Sequence, residues 1–132
     1  MTDPTTRPYR VLVTGSRDWT DTTTIAAALE QALIDAGPRP VVVVHGACPR
    51  GADALADRHA RWLRGTGCAI DVETHPARWR IDGRQAGFIR NAAMVRLGAD
   101  VCLAFIRDGS RGASHTAGLA EEAGILTRRF TS

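Results

Sequence analysis

Val11-Leu12-Val13-Thr14-Gly15-Ser16-Arg17 is an apolar run that breaks into a glycine-bearing polar loop. The same change of character recurs along the chain. Val41 to Val44 runs into His45-Gly46-Ala47-Cys48-Pro49-Arg50-Gly51-Ala52-Asp53, and Val101 to Ile106 runs into Arg107-Asp108-Gly109-Ser110-Arg111-Gly112-Ala113-Ser114. A fourth run, Cys68 to Thr74, stops at His75-Pro76. After each of the first three loops a helical pattern begins. Strand, glycine loop, helix is how a parallel sheet builds an anion site. Glycine lets backbone approach a ligand closely, and the helix that follows offers free N–H groups and a positive dipole end.

Working outward, Arg10 to Thr14 reads as the first strand. Thr22 to Ala36 reads as a helix with Ile25, Ala28, Leu29, Ala32 and Leu33 on one face, capped by Asp21 and stopped by Gly37-Pro38. Val41 to Val44 is continuously apolar, as a strand buried on both faces should be. Gly51 to Arg64 reads as a second helix, with Leu55, His59, Trp62 and Leu63 inward and Arg58, Arg61 and Arg64 outward. Cys68 to Thr74 is the third strand, and Ala77 to Ala86 an arginine-rich connection containing Trp79. Gly87 to Leu97 is the third helix, Val101 to Ile106 the fourth strand, Gly112 to Ala123 the fourth helix and Ile125 to Phe130 a short last strand.

Alternation of this kind predicts an α/β fold, a Rossmann-like doubly wound parallel sheet of about five strands with helices on both faces. Strand order 3-2-1-4-5 is its natural solution. Ligands bind such sheets at the switch point, here between the first and fourth strands, beyond their carboxyl ends. Residues 1–8 are polar and turn-rich and read as a flexible arm; residues 9–132 read as one domain.

Composition narrows the chemistry. All seventeen basic residues are arginine. A Walker A loop needs a lysine on the phosphates, so that class is excluded, as is Schiff-base catalysis on lysine. The net charge of +3 permits a nucleic-acid partner without demanding one. No apolar run reaches membrane-spanning length and the arm lacks the apolar core of a signal peptide, so a cytoplasmic protein with no membrane partner is expected. The three cysteines form no CxxC and the four histidines no paired ligand spacing, so neither a metal nor a disulfide is expected, and no cofactor. Cys68 and Cys102 read as strand residues. Cys48 reads as a loop residue that could touch a ligand.

The first loop lacks GxGxxG and no acidic residue ends the second strand, which argues against the usual dinucleotide fingerprint. Gly15-Ser16-Arg17 still offers N–H groups, a hydroxyl and a guanidinium. Gly46 and Ala47 open the second loop. Asp53, in the first turn of the next helix, either complements the helix dipole or bonds a ribose hydroxyl. Gly109-Ser110-Arg111-Gly112-Ala113-Ser114 is the best phosphate cradle, two glycines and two hydroxyls leading straight into a helix. Arg90 and Asn91 sit side by side in an apolar helix and could fork onto phosphate or a base. Arg78, Trp79, Arg80 and Arg84 interleave cations with an aromatic ring, either a base-stacking platform or a tryptophan packed under wet arginines. Trp19 raises the same choice.

At these loops the chain resembles the SLOG superfamily, which unites the DNA-processing Smf/DprA proteins with the LOG proteins, and within it the small YspA-like branch. The residues that carry the resemblance are Val13 to Arg17, His45-Gly46-Ala47 with Gly51-Ala52-Asp53, Trp79 with Gly83-Arg84, Ala86-Gly87 with Arg90-Asn91 and Met94, and Gly109 to Ala113. The resemblance implies a Rossmann-like fold that binds nucleotides, their derivatives or nucleic acid, and a homo-oligomer paired through helices beside the site. LOG enzymes are phosphoribohydrolases that cut the N-glycosidic bond of nucleoside monophosphates. Their M-H-x-R-K pattern places its arginine at Arg90, with Asn91 at the lysine. Their P-G-G-x-G-T-x-x-E pattern falls on Asp108 to Ala113, and its glutamate on Thr116, which cannot carry that charge.

Three functions follow as expectations. The first is a sensor or binding module for a phosphate-bearing nucleotide derivative. The second is LOG-like glycosidic cleavage, with Arg90 on the phosphoribosyl group and Asp53 or Glu121 as the acid or carboxylate. The third is single-stranded nucleic-acid binding through Trp79 and its arginines. The missing glutamate favours the first over the second, and the small net charge weakens the third.

Overall fold

A computed structural model describes residues 7–132. Its five strands are β1 (Tyr9–Gly15), β2 (Val41–His45), β3 (Ile70–Thr74), β4 (Val101–Ile106) and β5 (Leu126–Thr131). They form one wholly parallel sheet in the order β3-β2-β1-β4-β5. The helices are α1 (Thr22–Ala36), α2 (Ala52–Gly65), a single turn α3 (Trp79–Asp82), α4 (Ala86–Leu97) and α5 (Arg111–Glu122). The expected fold class and strand order are therefore those of the molecule.

The central strands are apolar throughout because both faces are covered. Val11, Val13, Leu103 and Phe105 point to one side, against Ile25, Leu29 and Ala32 of α1 and Ala56, Ala60 and Leu63 of α2. Leu12 and Cys102 point to the other, against Met94 and Val95 of α4 and Ala120 of α5. Burial inside that second layer pushes the Cys102 thiol up to about 12, so it is an inert core residue.

Asp21 caps α1 as expected, its carboxylate accepting the Thr24 N–H at 3.0 Å, and Gly37 ends it. The expected inner face of α2 is corrected. Its buried side chains are Ala52, Asp53, Ala56, Ala60 and Leu63, whereas Trp62 is 60 % exposed and lies against the His59 ring. Small residues face the sheet because α2 packs too close for an indole. Cys68 is also corrected. It lies in the turn closing α2, its N–H donating to Leu63 O, and β3 begins two residues later. The connection after β3 carries α3 and a 3₁₀ turn at Gly83–Gln85.

Of the expected arm, residues 1–6 lie outside the described residues. The carbonyls of Arg7 and Pro8 accept bonds from the Arg39 guanidinium at 2.8 and 2.9 Å. Among the described residues no helix is long and apolar enough to cross a membrane.

Candidate functional site

The chain leaves β1 towards α1 on one face of the sheet and leaves β4 towards α5 on the other. Gly15 and Phe105 are register partners at the carboxyl ends of these strands, so the two loops part above them. A cleft of about 670 Å³ opens there. Its walls hold Gly15 and Arg17 from the first loop, Gly46, Cys48, Arg50 and Asp53 from the second, and Trp79 and Arg84 from the connection after β3. Gly87, Phe88, Arg90, Asn91 and Met94 of α4 and Arg107, Asp108, Ser110, Gly112 and Ala113 at the start of α5 complete it.

The glycine that ends β1 answers to packing. A Cβ on Gly15 would collide with the Cβ of Ala52 and crowd Phe105 O, so glycine here lets α2 sit on the strand. Ser16 is buried and lies behind the cleft. Its N–H donates to Phe105 O at 2.8 Å, its Oγ accepts the Arg107 N–H at 2.8 Å, and its carbonyl accepts the Ala52 N–H at 3.1 Å. It ties the β1, β2 and β4 loops into one floor. Trp19 belongs to the core, 3 % exposed against Phe105, its Nε1–H donating to Asp21 O.

The second loop is held by a relay. The Ala47 N–H donates to Nδ1 of His45 at 2.9 Å, so the imidazole proton sits on Nε2 and points at Asp57 Oδ2, 2.7 Å away. Burial works against the charge of Asp57, but bonds from Arg61 and His45 more than offset it and hold its carboxyl below the usual range. This clamp fixes Ala47 at φ 60°, a left-handed conformation unusual for alanine. Ala47 itself does not line the cleft.

Asp53 turns back from α2 and accepts the Cys48 N–H at 3.3 Å. Burial raises its pKa, opposed by the nearby charges of His45 and Arg90 and by backbone N–H groups. Arg90 is anchored to backbone. Its Nη1 donates to Gly46 O and, at 3.3 Å, to His75 O, and its Nε donates to Asn91 Oδ1 at 2.6 Å. A Cβ on Gly46 would strike the guanidinium, so glycine there makes room for Arg90. Burial lowers the Arg90 pKa, with Asp53 pulling the other way.

α5 starts at Arg111 without a side-chain cap on its first N–H groups. Gly112 and Ala113 of this first turn line the cleft, and Ser110 stands beside them. Gly109, Arg111 and Ser114 do not line it. Thr116 is buried and its hydroxyl donates to Gly112 O at 3.0 Å, inside its own helix. Glu121 lies at the far end of α5, 2.6 Å from Arg129 and outside the cleft. Trp79 is 51 % exposed, with the Arg17 guanidinium over its ring at 5.8 Å.

Sequence reading does not single out Arg50, Arg107, Phe88 or Met94 as site residues. The first two follow strands at the carboxyl edge, where the switch-point rule alone would point. Five arginines and three aspartates (Asp18, Asp53, Asp108) line the cleft, a surplus of two positive charges. Among the described residues no three histidine, cysteine or carboxylate side chains converge as metal ligands would. The arrangement suits an anion with a flat group attached.

Comparison with known proteins agrees with this architecture. Residues 9–81 match the model of the YspA, cpYpsA-related SLOG family. The chain is 49 % identical over 121 residues to the Gene 61 protein of Mycobacterium phage D29, covering 92 % of this chain and 95 % of that protein. No solved structure matches it. The family match takes in β1, β2 and β3, the first two cleft loops and Trp79, and on it the chain belongs to the YspA, cpYpsA-related SLOG family.

Proposed function

We propose that this protein binds a phosphate-bearing nucleotide derivative in the cleft above β1 and β4, as a sensor or binding module. One observation carries the reading. The uncapped first turn of α5, at Gly112 and Ala113, opens into the same cleft as Arg17, Arg84 and Trp79. Free N–H groups and a helix dipole suit a phosphate, guanidinium groups add charge-assisted bonds, and the indole offers a face to a base. Family membership supports a nucleotide-related ligand. Arg90 contributes by holding the Gly46 and His75 carbonyls in place.

A thermal-shift series with nucleoside mono-, di- and triphosphates, nucleotide sugars, NAD and ADP-ribose tests the reading. A stabilising ligand recovered intact by mass spectrometry is the expected result. The absence of any shift across the series would overturn it.

Asp53 supports a second reading, cleavage of the ligand's N-glycosidic bond. A buried carboxyl with a raised pKa beside an arginine is suited to proton donation. Water would attack the anomeric carbon, the C–N bond would break, and the base would leave with the Asp53 proton, which the attacking water restores. Thr116 and Glu121 supply no carboxylate to the cleft, so Asp53 carries this reading alone. Release of free base by the wild-type protein and not by Asp53→Asn is its test.

A further inference from the structure

Arg17 and Trp79 reach the cleft from different elements, the β1–α1 loop and α3, and meet across its mouth. The guanidinium lies over the indole at 5.8 Å from the ring centroid. Both side chains are exposed, and among the described residues Arg17 forms no ion pair or hydrogen bond that would hold it elsewhere. Gly87 lies beneath the ring, where a side chain's first carbon would already touch Trp79 Cη2 at 3.6 Å. The indole therefore has one face backed by α4 and the other covered only by Arg17.

We propose that Arg17 occupies the base position on Trp79 in the empty cleft, and that a nucleotide's base displaces it, freeing the guanidinium for the phosphate. The inference rests on the nucleotide-binding reading above and adds how base and phosphate are read together. A guanidinium is planar, delocalised and stacks on aromatic faces much as a base does. A cation over an exposed indole is held weakly, while a stacked base is held more firmly. The displaced guanidinium then points at a cleft that already has Ser110 and the first turn of α5 on its far wall. Only a ligand carrying both parts gains from the exchange. A base without phosphate must evict Arg17 and gives it nothing to bind. A phosphate without base can take Arg17 but leaves the indole bare.

This exchange makes one substitution act in opposite directions on two ligands. Arg17→Ala should bind adenosine several-fold more tightly than the wild-type protein does, because the indole face is free. The same variant should bind ADP at least tenfold more weakly, because the phosphates lose a cation. Trp79→Ala should bind ADP and inorganic pyrophosphate with similar affinity, whereas the wild-type protein prefers ADP. Isothermal titration with adenosine, ADP and pyrophosphate reads all three, with thermal unfolding confirming that the exposed substitutions leave the fold intact. If Arg17→Ala weakens adenosine and ADP alike, or changes neither, the exchange is overturned while nucleotide binding stands. If Trp79→Ala keeps the wild-type preference for ADP, the indole is not the base platform and the exchange fails with it. If the wild-type protein binds none of the probes, the exchange and the reading beneath it fall together.

Discussion

Nε2 of His45 lies 2.7 Å from Oδ2 of Asp57, and that contact decides which imidazole nitrogen is left to hold the loop beyond it. With its proton directed at Asp57, Nδ1 is free to accept the Ala47 N–H. His45→Ala removes both bonds from a buried site and leaves the Ala47 N–H without its acceptor. A loss of about 2 kcal/mol is expected, seen as a melting temperature lower by roughly 5–10 °C. Asp57→Asn should lose less, since its amide oxygen can still accept from Nε2. Equal losses in the two variants would show that the charge of Asp57, and not the imidazole's tautomer, holds the loop.

The collision latent at Gly15 makes a second prediction. Gly15→Ala should destabilise by about 3 kcal/mol, because the new methyl meets the Cβ of Ala52 and the backbone at Phe105. Adding Ala52→Gly clears the first obstacle and not the second. Urea denaturation of the double-mutant cycle should show a coupling of about 1 kcal/mol or more in favour of the pair. Strict additivity would mean that the strand and α2 separate freely.

Glu73 sets an acid limb for stability. Bonds from Arg10 and then His75 outweigh its burial and lower its pKa from 4.5 to about 2. A carboxyl depressed in the folded state stabilises fully above its unfolded pKa and loses that contribution as pH falls through the folded one. The window is therefore from about pH 4.5 down to about 2. The side chain is 36 % exposed, so solvent screening leaves about 1 kcal/mol. Glu73→Gln should be less stable than wild type by that amount at pH 7, with the gap closing towards pH 2. A gap independent of pH would remove the ion pairs as its cause.

Cys48 provides a chemical handle on the cleft. Of the three cysteines it alone lines the cavity. Alkylation with N-ethylmaleimide should abolish nucleotide-induced stabilisation, and bound nucleotide should slow the labelling several-fold. Cys48→Ser should keep the stabilisation and escape its chemical block. Stabilisation that survives complete modification of Cys48 would place the ligand elsewhere.

The sheet was legible because Val11 to Val13, Val41 to Val44 and Val101 to Ile106 are apolar without interruption and alternate with helical patterns. Strand order followed from that alternation. The face of α2 was not legible, because Ala56 and Ala60 carry little hydrophobic weight beside Leu55 and Trp62, and only the close approach at Gly15 explains why small side chains face inward. α3 is one turn long, too short for any periodicity. The backbone roles of Arg90 and Ser16 leave no trace in sequence, since carbonyls and N–H groups are common to every residue. Arg90, Asp53, Trp79 and the start of α5 could still be picked out as neighbours, because the switch point gathers whatever follows β1, β2 and β4.

The strand order also governs the history of each molecule during synthesis. β1 lies at the centre of the sheet, between β2 and β4. Its first neighbour emerges from the ribosome soon after it, but β4 follows only at Val101–Ile106. Until then a nascent chain of three paired strands exposes an open edge along Val11, Leu12 and Val13, apolar and unprotected by charge. Such an edge invites pairing with other chains. Products truncated before β4 should therefore aggregate, and trigger factors or similar holdases that shield apolar nascent segments should matter most over that interval.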